Sequence, residues 1–497
     1  MKNGFDNERY IEMQSENIQR RIDLFGGRLY LEFGGKLFDD YHAARVLPGF
    51  APDGKVRMLR QLKDRVEIII VINASDIEKN KVRGDLGITY DLETLRLIDA
   101  FRSSDFFVGS VVLTQYTGQP AADMFRRRLE SLGVKVYKHY PIAGYPSNVD
   151  LAVSEEGYGK NDYIEARRPL VVVTAPGPGS GKMAVCMSQL YHEYRHGVSA
   201  GFAKFETFPI WNLPLKHPVN LAYEAATADL NDVNMIDPFH LEAYGERAVS
   251  YNRDVEVFPI LSEILSRILG KVAYRSPTDM GVNMVGFCVC EDKHIIEAAN
   301  MEIIRRYYSA LCAERKGQSV GNEVFQIELI MKQAGLSSDD RSVIAAAIAK
   351  ENETEQPAAA MELPNGQIVT GKTTPLLGSS SALLINALKV LAGISDDIHL
   401  LSPVAIEPLQ DLKVTHLGGV NPRLHTDEVL IALAISAATN PTAKLALKSL
   451  KELRGCEAHT TVILSQVDED TFRRLGVNLT SEPKYQTQKL FHGKQLK

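Results

Sequence analysis

Most of the features that would place this sequence in a class at a glance are missing. In 497 residues there is one tryptophan, and the five cysteines at 186, 288, 290, 312 and 456 form no C-x-x-C pair. An odd count without paired spacing argues against a disulfide framework and fits free thiols in a reducing cytoplasm. Positive charge is not in excess. The net charge of −6 offers no general attraction for nucleic acid or anionic lipid. The triplet Arg126-Arg127-Arg128 falls in a helical pattern and reads as a solvated face. No window approaches the ~18 apolar residues of a membrane span, and the opening "MKNGFDNERYIEMQ" lacks the apolar centre of a secretory signal. Internal repeats and low-complexity tails are also missing. The expectation is a cytoplasmic chain with no nucleic-acid or membrane partner; a homo-oligomer is left open.

What is there is an ordinary globular composition, 45% hydrophobic and 24% charged, in a chain too long for one core. Apolar, β-branched runs recur at "RLYLEF" (28–33), "VEIIIVI" (66–72), "FVGSVVLTQ" (107–115), "VKVYKHY" (134–140) and "LVVVTA" (170–175). Helical patterns lie between them. One has Asp91 as its N-cap; another has Pro120 in its first turn and Gly133 past its end. Near-continuous apolar strands alternating with helices predict an α/β fold with a mostly parallel sheet over residues 1–290. A helical segment and linker should follow over 291–357, with 351–367 as the linker, then a smaller C-terminal α/β domain over 358–497. In "GVNMVGFCVC" the pattern predicts a strand with Cys288 and Cys290 on one face.

The most informative stretch is "VVVTAPGPGSGKMAVCMSQLYHEYRHG", residues 171–197. A strand, a Gly-rich turn and a helix start make an anion site, because the first helical N–H groups have no intrahelical partner and the dipole adds positive potential. Gly177, Gly179, Ser180 and Gly181 would let the backbone approach a phosphate, and Lys182 would neutralise it as the candidate catalytic cation. The match to G-x-x-x-x-G-K-[ST] is incomplete: Pro176 stands at the first glycine and Met183 at the closing hydroxyl. Magnesium as a cofactor is therefore in doubt, whereas a nucleotide is admitted. The dinucleotide fingerprint fits with its third glycine one residue early, and Glu206, after the next strand "GFAKFE", stands where a ribose-binding acid belongs. A turn that merely lets a helix pack on its strand is the plain alternative.

Ligands of open α/β sheets lie beyond the carboxyl ends of the strands. That rim holds Gly34-Gly35-Lys36, Asn73, Asp76, Gln115, Tyr116, His139 and Tyr140. Asn73 and Gln115 are candidate substrate contacts, with Asp237 of "NMIDPFH" as a further contact or metal carboxylate. The same helix spells H-E-x-x-H at His192, Glu193 and His196, the zinc-peptidase pattern. The histidines are expected to face away from the apolar stripe of Met183, Met187, Leu190 and Tyr194, and no third ligand follows at a familiar spacing. Late in the chain, Gly378-Ser379-Ser380-Ser381 opens another helix after Lys372, Thr373 and Thr374, and "THLGGVNPRLHTDE" (415–428) forms a long loop with Arg423. The first is an ordinary serine cap or a second anion nest, the second a wall or lid.

"APGPGSGKM", "FAKFETFPIWNLPLKHPVNLAYEAATADL" and "IDPFHLEAYG" together resemble a bacterial family known as domain-of-unknown-function family 1846, along the full chain. The resemblance implies an N-terminal domain, a helical segment and a C-terminal α/β subdomain, and it implies no activity. The residues lead first to an enzyme that binds a nucleotide or other phosphorylated small molecule at 176–182, with phosphoryl transfer as the reaction. A non-catalytic metabolite sensor or scaffold is second, and a zinc hydrolase through His192, Glu193 and His196 third.

Overall fold

Ile68 through Ile72 have no solvent exposure, which a strand achieves only when both faces of its sheet are covered. The computed structural model describes residues 3–38, 40–83, 87–319, 321–401 and 403–487. Its principal sheet contains β1 (Leu29–Phe33), β2 (Val66–Asn73), β3 (Phe107–Thr114), β4 (Lys135–Lys138), β5 (Leu170–Thr174) and β6 (Gly201–Phe205). The spatial order is β4-β3-β2-β5-β1-β6, every neighbouring pair parallel. The apolar runs of the sequence are its strands, so the α/β expectation holds.

The order has one functional consequence. From β2 the chain moves outward to β3, whereas from β5 it moves the other way, past β1, to β6. Because β2 and β5 are neighbours, the loops leaving them part at their shared border. Such a switch point is where open α/β sheets hold ligands.

The helix Asn7–Leu24 begins at Asp6, whose side chain accepts from the Arg9 N–H. In the helix Tyr90–Ser103, Thr89 is the N-cap, and Asp91 lies inside the first turn rather than at the cap. The helix Pro120–Ser131 has its proline at the start, and Gly133 follows its end with φ +71°. The stretch read as a strand around Cys288 and Cys290 is instead a 3-10 turn, Val285–Cys288, with one bridge from Val289 to Phe5. All five cysteines are free. No helix among the described residues is long and apolar enough to cross a membrane.

The chain divides into two units, Met1–Ala299 and Asn300–Lys497, the boundary falling inside the helix Asp292–Arg315. The second unit has its own core, with Met361, Leu383, Leu384, Val429, Leu433 and Phe472 buried together. Its sheet comprises β7 (Ala358–Glu362), β8 (Ile368–Lys372), β9 (Glu457–Thr460) and β10 (Asn478–Ser481), in the order β8-β7-β9-β10. Residues 351–367 are thus not a linker: they hold the end of the helix Ser342–Thr354 and all of β7. In "TTVILSQV" (460–467), whose β-branched run predicts a strand, only Thr460 is extended: it ends β9. Gly371 of β8 packs directly on the following helix; a Cβ there would stand 2.2 Å from the Leu383 nitrogen.

Candidate functional site

Beyond β5, residues 175–181 form an irregular turn that feeds the helix α1 (Lys182–Arg195). Gly179 and Gly181 have φ of +74° and +89°, a region other residues enter at a cost. Inside the turn the fully buried Ser180 donates through Oγ to the Gly177 carbonyl at 2.8 Å. From outside, the Thr114 hydroxyl at the end of β3 donates to the Ser180 carbonyl at 2.6 Å. Both bonds engage carbonyls and leave the amides alone. The N–H groups of Gly177 and of residues 179–184 have no acceptor among the described residues; the first helical bond runs from Val185 to Gly181. Lys182 is half-buried, and no hydrogen bond or ion pair among the described residues engages its ammonium.

Asn73, the last residue of β2, stands next to this turn, and its side chain accepts from the Ser75 N–H at 2.8 Å. Gln115 directly follows Thr114, exposed and with φ +52°. Asn73 thus closes the strand that pairs with β5, and Gln115 follows the residue whose hydroxyl holds the turn.

Glu206 does not join them in the way a ribose acid would. The strand it follows, β6, is separated from β5 by β1, and its carboxylate pairs with Lys204 at 3.2 Å. Asp254 takes the same ammonium at 2.5 Å. Burial raises Glu206 above the ordinary carboxyl range; Lys204 opposes this and Asp254 reinforces it. Asp237 lies on a separate hairpin, Asn234–Ile236 with Val249–Tyr251. It is fully buried, accepting from the Phe239 and His240 N–H groups and from the Thr278 N–H and hydroxyl. With every oxygen so occupied it is a helix cap, not a ligand for substrate or metal. His139 is also internal: its Nε2 donates to the Asp162 carbonyl, and burial lowers it to about 3.

The H-E-x-x-H residues hold the fold together. Glu193 is fully buried and accepts from Arg28 at 2.6 Å and Tyr30 at 2.7 Å. His192 donates to the Asn161 carbonyl at 2.9 Å, and His196 to the His192 carbonyl at 2.7 Å. Tyr163 stacks on His196 with ring centroids 4.6 Å apart. Two expectations about this helix fail. His192 is 9% exposed, facing inward, while Tyr194 is 56% exposed, because residues 158–164 cover a second face of α1 through Asn161, Ile164 and Gln189. Among the described residues no three His, Cys, Asp or Glu side chains gather as a metal cluster.

Glu32 escaped the sequence reading. It is paired in register with Lys204 on one side and Val173 on the other, and its Oε2 is buried without a hydrogen-bond partner among the described residues. Burial raises the Cys186 thiol, one turn into α1; Glu32 adds to the effect and Lys182 opposes it. The available signal was a lone acid in an otherwise apolar strand.

Family profiles match the chain over two spans. "Domain of unknown function DUF1846, N-terminal" covers residues 3–335 and its C-terminal counterpart covers 339–491. A UPF0371 protein of Streptococcus pyogenes serotype M5 is 58% identical over 488 residues, 98% of this chain and 99% of the relative. One from Corynebacterium urealyticum is 59% identical over 489 residues, 98% of each chain. One from Streptococcus uberis is 58% identical over 490 residues, 99% of each chain.

Proposed function

The chain belongs to the DUF1846 family, and we propose that it binds the phosphate of a nucleotide or another phosphorylated metabolite on the turn at 177–184. The observation that carries this reading is the run of N–H groups at the sheet's switch point without an acceptor among the described residues, next to a Lys182 ammonium that none of those residues engages. A phosphate supplies the acceptors those groups lack, and the α1 dipole favours its charge. Glu32 adds a buried acceptor at the neighbouring strand end, which suits a ligand that bears hydroxyls as well as phosphate. Phosphoryl transfer is the reaction such a cradle favours, with Lys182 neutralising the group in flight. Met183 gives no oxygen to a magnesium ion where the nucleoside-triphosphatase loop has a hydroxyl.

The test is calorimetry of ATP, NAD and sugar phosphates against the wild type and Lys182→Ala. One ligand class is expected to bind the wild type. The variant should bind it about tenfold or more weakly, the worth of one charged hydrogen bond. Equal affinity in both proteins, or no binding to the wild type, refutes the reading.

A further inference from the structure

In the second unit, two stretches 47 residues apart in sequence begin helices side by side. The turn after β8 leads into α2 (Ser379–Leu391), and the loop ending at His425 leads into α3 (Thr426–Ser436). A single parallel bridge joins Leu377 to Leu424. Ser381 donates to the Leu424 carbonyl at 2.9 Å, and Arg423 donates through Nε to the Thr374 carbonyl at 2.9 Å. A third helix, α4 (Gln466–Leu475), starts against α3: Asp468 accepts from the Thr426 N–H at 2.8 Å and pairs with His425 at 3.0 Å.

This corner has donors to spare. Ser379 and Ser380 are 3% and 2% exposed, yet neither hydroxyl has a partner among the described residues. The Ser380 Oγ points back to the helix start, 3.8 Å from where a Cβ on Gly378 would sit. The N–H groups of Ser379, Ser380 and Ser381 also lack acceptors among the described residues, since the first helical bond runs from Ala382 to Gly378. Arg423, anchored through Nε, has both Nη groups without an acceptor among the described residues. The nearby carboxylates are already matched. Glu428 pairs with Lys413 at 2.8 Å, and Asp468 accepts from Thr426, Ser465 and His425. The bond to Asp468 holds the His425 ring above the usual histidine range, against an opposing effect of burial.

We infer that this corner is a second anion site, built for a phosphate group either free or carried by a small metabolite. Each hydroxyl can donate to an oxyanion that reaches this corner, since no protein group among the described residues takes its proton. Two hydroxyls, three amides and a guanidinium fork exceed what the two oxygens of a carboxylate take up, whereas a tetrahedral oxyanion accommodates them. The site lies wholly within the second unit and does not depend on the turn at 177–184.

Hydrogen–deuterium exchange of the full-length protein tests it, comparing inorganic phosphate and glycerol phosphate with chloride at matched ionic strength. Peptides over 374–384 and over 175–186 are read separately. Phosphate should slow exchange at 379–381 severalfold in the wild type and in Lys182→Ala. That slowing should vanish in Arg423→Gln and in the double variant Ser379→Ala/Ser380→Ala, with β7 exchanging as before. A stronger effect of the ester identifies a metabolite as the ligand; equal effects identify inorganic phosphate. Unchanged exchange at 379–381 in the wild type, or slowing that survives both variants, overturns the inference.

Discussion

Gly177 has no room for a methyl group. A Cβ at that position would stand 2.1 Å from the Tyr90 hydroxyl and 2.5 Å from its ring Cζ. Gly179 differs: its φ is positive, but a Cβ there would meet open space. Alanine at 179 should therefore bring only backbone strain, roughly 1–2 kcal/mol. Alanine at 177 should displace Tyr90 or the turn itself. Phosphate affinity measured by calorimetry is expected to fall about tenfold in Gly177→Ala and to recover when Tyr90→Ala is added. The recovery is the discriminating result, because a turn whose shape were irrelevant to binding would show neither the loss nor the rescue.

At the scale of elements, α1 carries a peptidase spelling with a structural meaning. Glu193→Gln removes the charge that Arg28 and Tyr30 share. It should lower stability by about 1–3 kcal/mol, the range for a charged hydrogen bond. Urea unfolding followed by the fluorescence of Trp211, which lies in the same unit, reads this directly; an unchanged midpoint would contradict the assignment. The alternation of strand and helix was visible in the sequence because it rests on local periodicity. The order of the strands was not, since β1 enters between β5 and β6 through long-range pairing, and with it went the expected place of Glu206. The strand β7 was hidden for another reason. Its sequence "AAAME" has no β-branched residue, and it is extended only because β8 and β9 pair on either side. The Gly-rich turn could be recognised from spacing alone. Glu32 needed the register, and the meeting of the turn at 374–381 with the loop at 423–424 needed a single bridge between distant loops.

At the scale of the whole molecule, one buried carboxyl in each unit should answer pH in the opposite sense to the other. Burial, reinforced by Asp254 and opposed by Lys204, lifts Glu206 from 4.5 to about 7. A carboxyl raised on folding favours the folded chain while protonated, and that contribution is lost as pH climbs from 4.5 toward about 7. In the second unit burial pushes Glu457 up, but Arg305 and Arg341 outweigh it and hold it below 4.5. Its contribution is complete above that value and is lost on acidification. Glu206→Gln should flatten the pH dependence of the Trp211 transition between pH 4.5 and about 7. Arg341→Met should make exchange in β9 sensitive to acid at a higher pH. A Trp211 transition with the same pH slope in Glu206→Gln would refute the first of these. The bare Gly371 has a consequence for the second unit as well. Because β8 touches α2 backbone to backbone at Leu383, the opening turn of that helix is braced before any guest arrives. An incoming oxyanion would meet a finished receptor and surrender little of its binding energy to ordering the chain.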